Sequence, residues 1–215
     1  INVTPDSFFD GGKYNTESGI IERAKMHLDA GASILDIGAV STRPKAELIP
    51  ESEERERLIP AVKLLRSNFP EASISVDTFR SSIAKAAVEA GADIINDISG
   101  GTMDNKMFST IAQLQVPYVL MHIQGTPETM QDNPHYKDVT IEVISDLMLK
   151  LDQLKNLGVH DVIIDPGFGF GKTVGQNFSL LNDLKQFAVL GHPILVGLSR
   201  KSMINRVLGS NPETA

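Results

Sequence analysis

The chain predicts an α/β fold: a (β/α)8 TIM barrel lacking its eighth strand and last helices. Three observations carry that reading. Short, apolar, β-branched runs alternate with amphipathic helical stretches seven times, the pattern of a parallel sheet with helical crossovers. Polar or glycine-rich clusters follow nearly every strand, and they share one face only if the sheet closes. The phrase Ala-Gly-Ala recurs at residues 30–32 and 90–92, marking the same helix-to-strand junction twice. The competing architecture, an open doubly wound sheet, would gather its polar ends at one switch point. With 215 residues, 41% of them hydrophobic, the chain is long enough for one sizeable core, so residues 1–215 are read as one domain.

In order, residues 1–3 read as the end of a first strand, leading into a polar Gly/Pro-punctuated loop through Gly12. Thr16 or Ser18 caps a helix running to Ala30, with Ile20, Ile21, Ala24 and Leu28 on one face, and Gly31 ends it. Residues 33–37 (SILDI) form a strand and residues 38–44 (GAVSTRP) the loop beyond it. A charged amphipathic helix over 51–69 is closed by Pro70, and a strand over 73–76 ends at Asp77-Thr78. A helix over 81–90 stops at Gly91, and a strand over 93–95 ends at Asn96-Asp97. Then come a helix over 106–113, a strand over 117–121, a long polar loop over 122–136, and a helix over 139–157 stopped by Gly158. The strand into Asp165, a helix over 177–189, a strand over 194–196 and a helix over 200–208 complete the series.

Composition excludes several function classes. The formal charge is -7 with acidic residues spread along the chain and no Lys/Arg stripe, which argues against a nucleic-acid partner. Zero cysteines excludes disulfides, thiolate metal sites and a cysteine nucleophile. No apolar run approaches the roughly 18 residues a membrane span needs, and no signal peptide is visible. The expectation is a cytoplasmic protein with no membrane role. The chain opens on strand-like residues and stops at residues 212–215 within a helical pattern, so it is expected to be truncated at both ends.

The most informative stretch is residues 161–173, DVIIDPGFGFGKT. A carboxylate ending a buried strand, followed by a Gly-rich loop, is where an α/β protein places its chemistry. Two nucleotide loops fail at this position. The phosphate-loop pattern would put its first glycine on Pro166, and the dinucleotide fingerprint would put its third on Lys172. The structural alternative is a strand-to-helix turn in which Asp165 caps the next helix.

Residues just beyond the strands form one set: Asn2, 41–44 (STRP), Asp77, Asn96, Met121-His122, Asp165 and 199–202 (SRKS). Two carboxylates and an amide from three strands suit a flat heterocycle bearing amino, ring N–H and carbonyl groups, such as a pterin. Lys201 adds a cationic donor. Taken singly, Asp77 reads as a helix N-cap, Asn96-Asp97 as an Asx-turn, and Arg200-Lys201 as a solvated face. His122, His135 and His192 lack metal-ligand spacing with carboxylates and read as surface or loop residues.

These motifs resemble the dihydropteroate synthase family. Asn2-Val3-Thr4-Pro5-Asp6-Ser7-Phe8 with Asp10-Gly11-Gly12 is similar to its first loop, and Ser41-Thr42-Arg43-Pro44 to its second. Val76-Asp77-Thr78, the NDISGG run from Asn96, the DPGFGF run from Asp165 and Ser199-Arg200-Lys201 follow in the family's order. The resemblance implies an eight-stranded barrel transferase of folate biosynthesis, a sulfonamide target. It joins 6-hydroxymethyl-7,8-dihydropterin diphosphate to p-aminobenzoate with Mg²⁺, as a homodimer. It implies that Asp77, Asn96, Asp165 and Lys201 hold the pterin, with Met121 and Phe170 lining the pocket. Phe8, Thr42, Arg43, Pro44, Lys201 and Ser202 would surround p-aminobenzoate, Asn2 would join the metal–diphosphate site, and Asp10 would organise metal and intermediate. Asp10, Arg43 and Lys201 are the expected catalytic residues.

Two departures stand out. Lys45 follows Pro44 where the family usually has Gly, and the family's closing Arg-x-His, which binds diphosphate, has no counterpart before Ala215. The literal chain is therefore expected to be inactive and the longer protein active. Two alternatives remain at this point. A pterin-dependent methyltransferase of the same superfamily would share Asp77, Asn96 and Asp165 but would not need residues 2–12 or 42–44. A non-catalytic pterin-binding homologue would also lack the Arg-x-His pair in its natural chain.

Overall fold

The computed structural model describes residues 1–4, 16–41 and 48–210. Five parallel strands form one sheet in the order β1 (Ile34–Gly38), β2 (Ser73–Asp77), β3 (Ile94–Asp97), β4 (Tyr118–Met121) and β5 (Val162–Asp165). The two remaining predicted strands are present as single bridges. Asn2 pairs with Gly38 beside β1, and Ile194 pairs with Ile164 beside β5. Each is held by two backbone hydrogen bonds to one neighbour, so only one residue of each meets the ladder pattern. Seven segments thus lie side by side in chain order, all parallel. A doubly wound sheet reverses its order at a switch point; this one never does, as a barrel requires.

The helices are α1 (Glu17–Asp29), α2 (Glu51–Asn68), α3 (Ser81–Glu89), α4 (Met107–Leu114), α5 (Val139–Asn156), α6 (Val174–Asn182) and α7 (Ser202–Leu208). Thr16 caps α1 by accepting from the Gly19 amide, and Asp138 caps α5 by accepting from the Ile141 amide. The predicted helix over 177–189 differs from the structure at both ends. α6 begins at Val174, because Thr173 and Gln176 form a reciprocal capping box. It breaks at Asp183 into a 3₁₀ helix, Leu184–Leu190. The last helix starts at Ser202 rather than Arg200, which has φ 58°.

The Ala-Gly-Ala repeat is one physical device used twice. The Ala32 amide donates to the His27 carbonyl and Gly31 to Leu28; Ala92 donates to Ala87 and Gly91 to Val88. Both are Schellman turns whose left-handed position favours glycine, at φ 94° and 111°. Val159 to Leu154 and Gly158 to Lys155 make a third.

The main core lies between sheet and helices. Leu35, Ile37, Ile74, Val76, Ile95, Leu120 and Ile164 face outward from the strands onto Leu58, Leu65, Ile83, Ile111 and Leu147. Period-2 alternation therefore sends Asp36, Ser75, Asp77, Asn96, Met121 and Asp165 to the other face of the sheet. A smaller apolar cluster, with Val40, Phe79, Ile98, Met121, Ile123 and Met130, roofs the carboxyl ends of the strands. No helix among the described residues is long and apolar enough to cross a membrane.

Candidate active site

The carboxyl ends of the strands carry two adjoining groups of polar side chains. On the first, Asp77 is the register partner of Asn96 on one side and of Gly38 on the other. Gly38 makes room: a Cβ there would lie 3.2 Å from the Asp77 Cβ. Burial, and then the nearby carboxylates of Asp36, Asp97 and Glu54, push Asp77 well above the usual carboxylate range. Asp77 does not cap α3; that helix starts at Ser81, whose amide donates to Asp104 at 2.8 Å. Thr78 Oγ1 instead donates to the buried Glu54 carboxylate at 2.6 Å. Arg80 pairs with that same carboxylate and donates to the Ile49 carbonyl at 2.7 Å. The loop after β2 is thereby tied to the start of α2.

On the second group, Asp165 is the register partner of Met121. The Gly167 amide donates to Asp165 Oδ1 at 2.7 Å, which is an Asx-turn and not a helix cap. Burial raises Asp165 to about 6, against the lowering effect of that amide and of the Lys201 and Lys172 charges. Lys201 lies with Nζ 4.4 Å from the Phe170 ring centroid, a cation–π contact that places the cation over the glycine loop. Burial lowers its pKa and Asp165 opposes the shift. Lys201, Ser202, Phe170, Met130, Gln131 and Asn177 line a cleft of about 690 Å³.

Lys172 is the residue that sequence reasoning missed. Its ammonium is buried beneath the glycine loop and donates to the Gly167 carbonyl at 2.9 Å, the Phe170 carbonyl at 3.0 Å and His122 Nδ1 at 3.0 Å. Burial lowers it to about 7 despite the Asp165 charge. His122 is a correction in part: it stands in the loop just past β4, as expected, but its side chain is buried and not at the surface. Burial, then the charges of Lys172 and Lys150, hold it down to about 2. An ammonium has only hydrogens to offer, so Nδ1 carries the lone pair and Nε2 the proton. The legible signal was a lysine between two glycine-loop turns and a capping threonine, which failure of the phosphate-loop pattern left without a role.

Asn96 lies within β3, and its neighbour Asp97 faces the opposite way. Asp97 is fully buried, and accepts from the Ser99 and Gly101 amides at 2.8 Å each and from the Tyr118 hydroxyl at 2.7 Å. That is the Asx-turn expected for this pair, made by Asp97 alone. Asn2 accepts from the Thr4 amide through Oδ1 at 3.2 Å and borders a cleft of about 320 Å³ with Asp36, Gly38, Ser41 and Asp77. Of the predicted site residues, Phe8, Asp10, Thr42, Arg43 and Pro44 lie outside the described residues.

The profile of the family described as pterin binding enzyme matches residues 1–214. A Synechocystis protein named dihydropteroate synthase is 44% identical over 210 residues, covering 97% of this chain and 72% of that protein. The crystal structure of Yersinia pestis dihydropteroate synthase with a sulfonamide drug complex superposes with a TM-score of 0.94 at 37% identity, covering 99% of this chain and 78% of that one. Xanthomonas albilineans dihydropteroate synthase in complex with 7,8-dihydropteroate superposes at 0.85 and 38% identity, covering 100% and 76%. The chain belongs to the pterin-binding enzyme family, where it groups with the dihydropteroate synthases.

Proposed function

We propose that the chain condenses 6-hydroxymethyl-7,8-dihydropterin diphosphate with p-aminobenzoate, giving 7,8-dihydropteroate and diphosphate. The carrying observation is the placement of Asp77, Asn96, Met121 and Asp165 at the ends of four consecutive strands, beside the Lys201–Phe170 pair. The Xanthomonas relative's complex with 7,8-dihydropteroate, the product that unites both substrates, supports this chemistry. Asp77 and Asp165 accept hydrogen bonds from the pterin's amino and ring N–H groups, and Asn96 supplies both a donor and an acceptor. Phe170 and Met121 offer flat apolar surface, and Lys201 donates toward ring acceptors or the arylamine's carboxylate. Ser202, at the first turn of α7, shares the Lys201 cleft. Phe8, Asp10, Thr42, Arg43 and Pro44 are assigned to the p-aminobenzoate and intermediate sites on their motifs alone.

The donor set fits Mg²⁺ as a substrate-borne ion. Among the described residues no three His, Asp or Glu side chains cluster as a metal cage. Mg²⁺ keeps several waters and needs only one or two protein oxygens beside substrate phosphates. Asn2, at a cleft mouth with Asp77, would supply one and Asp10 another. When bound, the ion neutralises charge developing on diphosphate. The protein's own part is to hold the ring so that the electron-poor methylene faces the arylamine. That amine attacks without a strong base, an SN1-like substitution, and the two early loops exclude water from it. The reading further includes a cytoplasmic homodimer.

Titration of the full-length enzyme with a dihydropterin diphosphate analogue tests the assignment. Binding should tighten with Mg²⁺, permit p-aminobenzoate to follow, and collapse in Asp77→Ala and Asp165→Ala. Pterin affinity that survives both substitutions would remove the assignment.

A further inference from the structure

Lys172 is buried beneath the glycine loop, and no ligand contact is assigned to it. Its partners trace a short path to Asp165. The ammonium donates to the Gly167 carbonyl at 2.9 Å, and the Gly167 amide donates to Asp165 Oδ1 at 2.7 Å. Pro166 has no N–H, so Gly167 carries the first amide past β5 that can reach the carboxylate. A stiffer residue cannot stand at 167, because a Cβ there would lie 1.9 Å from the His122 carbonyl oxygen. A glycine at φ 72° turns freely unless bonds on both of its sides hold it. Here the carbonyl side is held by Lys172 and, at 3.1 Å, by the Phe170 amide. Lys172 is itself fixed by His122 Nδ1, just past β4, and by the Phe170 carbonyl, at 3.0 Å each.

We propose that Lys172 is a positioning residue for Asp165: by holding the Gly167 carbonyl it keeps the Gly167 amide on Oδ1, and so fixes the plane in which the carboxylate meets the pterin. This deepens the pterin reading above and rests on it. Among the described residues nothing donates to Oδ2, and Oδ1 keeps a second lone pair, so both oxygens remain available to an amino group and a ring N–H. A carboxylate already held in one orientation binds without first being ordered. The charges facing this path are Lys201 and Lys172 beside Asp165, and Lys201, Asp146 and Lys150 beside Lys172. His122, held down to about 2, is neutral.

A double-mutant cycle on the full-length enzyme tests this, read as the dissociation constant for 6-hydroxymethyl-7,8-dihydropterin at pH 8. There Asp165, at about 6, is ionised and Lys172, at about 7, is largely neutral, so its hydrogen bonds act without its charge. Lys172→Met should weaken binding about tenfold beside Asp165, and less than about threefold in the D165N background. A lysine that only stabilises the fold would weaken both backgrounds equally. Equal losses, or an unchanged affinity in K172M, overturn the role of Lys172. The second readout is the acid limb of pterin affinity. Lys172 is charged where Asp165 titrates and lowers its pKa, so the limb should move up by about half a unit in K172M; a limb left in place overturns the role too. Lys172→Gln keeps N–H donors without the charge, and should move the limb as far while weakening binding less. If K172M does not fold, the cycle with K172Q decides. A wild type that binds no dihydropterin overturns the pterin site itself.

Discussion

Replacing Lys172 by methionine should change how stability depends on pH. Under the glycine loop the ammonium bonds to the Gly167 and Phe170 carbonyls, to His122 Nδ1 and, at 3.4 Å, to the His122 carbonyl. Methionine fills a similar volume and offers no hydrogen. Each buried acceptor left unpaired costs about 1–3 kcal/mol. Against that stands the cost of burying a charge, seen in a pKa lowered from 10.5 to about 7. Between those values the unfolded chain holds a proton on this lysine that the folded protein lacks. Stability from this group therefore rises with pH, by at most about 1.4 kcal/mol per unit. From pH 7 to 10 that amounts to about 4 kcal/mol. The neutral amine keeps two hydrogens for the carbonyls, and its lone pair can accept from the other tautomer of His122, so the network survives the titration.

Chemical denaturation of wild type and K172M across pH 7 to 10 measures the effect. The stability gap between them should be smallest at pH 7 and widen steadily toward pH 10. Lys201 is also lowered by burial and titrates in the same direction, but it is present in both proteins and largely cancels in the difference. A gap that stays constant within about 0.5 kcal/mol, or narrows with pH, would refute the account of a buried lysine with a depressed pKa.

Two further outcomes follow from the same loop. Asp165, raised to about 6, must be ionised to accept from a pterin, so affinity for 6-hydroxymethyl-7,8-dihydropterin should fall about tenfold per unit as pH drops below about 6. Calorimetric titration between pH 4.5 and 8 reads this, and Asp165→Asn should flatten the profile. Gly167→Ala would place a Cβ 1.9 Å from the His122 carbonyl oxygen at φ 72°, and should destabilise by more than about 3 kcal/mol or prevent folding. Gly175→Ala, in α6 with open space around it, should stabilise by about 0.5–1 kcal/mol, and thermal melts of the pair compare strain with propensity.

The fold was legible because each level of the chain repeats one signal. Apolar runs at strand length, glycines at helix ends and polar residues after each strand all imply β/α units, and three Schellman turns confirm that the glycines terminate helices for one geometric reason. Less legible was what depends on tertiary partners. The α6 boundary hinged on Gln176 reaching back to Thr173. The outermost strands narrowed to single bridges because each has one neighbour in the sheet.

The site shows the same division more sharply in its acids. Asp77 and Asp97 both end apolar strands and both are raised by burial. One residue of alternation separates their fates. Asp97 faces the helices, where Tyr118, Ser99 and Gly101 saturate its oxygens, and its carboxylate serves to hold a turn. Asp77 faces the interior of the curved sheet, where the carboxylates of Asp36, Asp97 and Glu54 add to the upward push of burial and the Ile1 ammonium opposes it. A buried carboxylate beside carboxylates is costly unless a donor-rich group arrives. The proposed pterin contact would meet that demand at Asp77, whereas Asp97 has its demand met by the protein. Asp36, on the same face, accepts from Ser75 and Asn96 on two other strands. Motif matching finds residues that touch ligand; it passes over those that touch only protein, because a hydrogen bond between strands leaves no spacing in the sequence to be read.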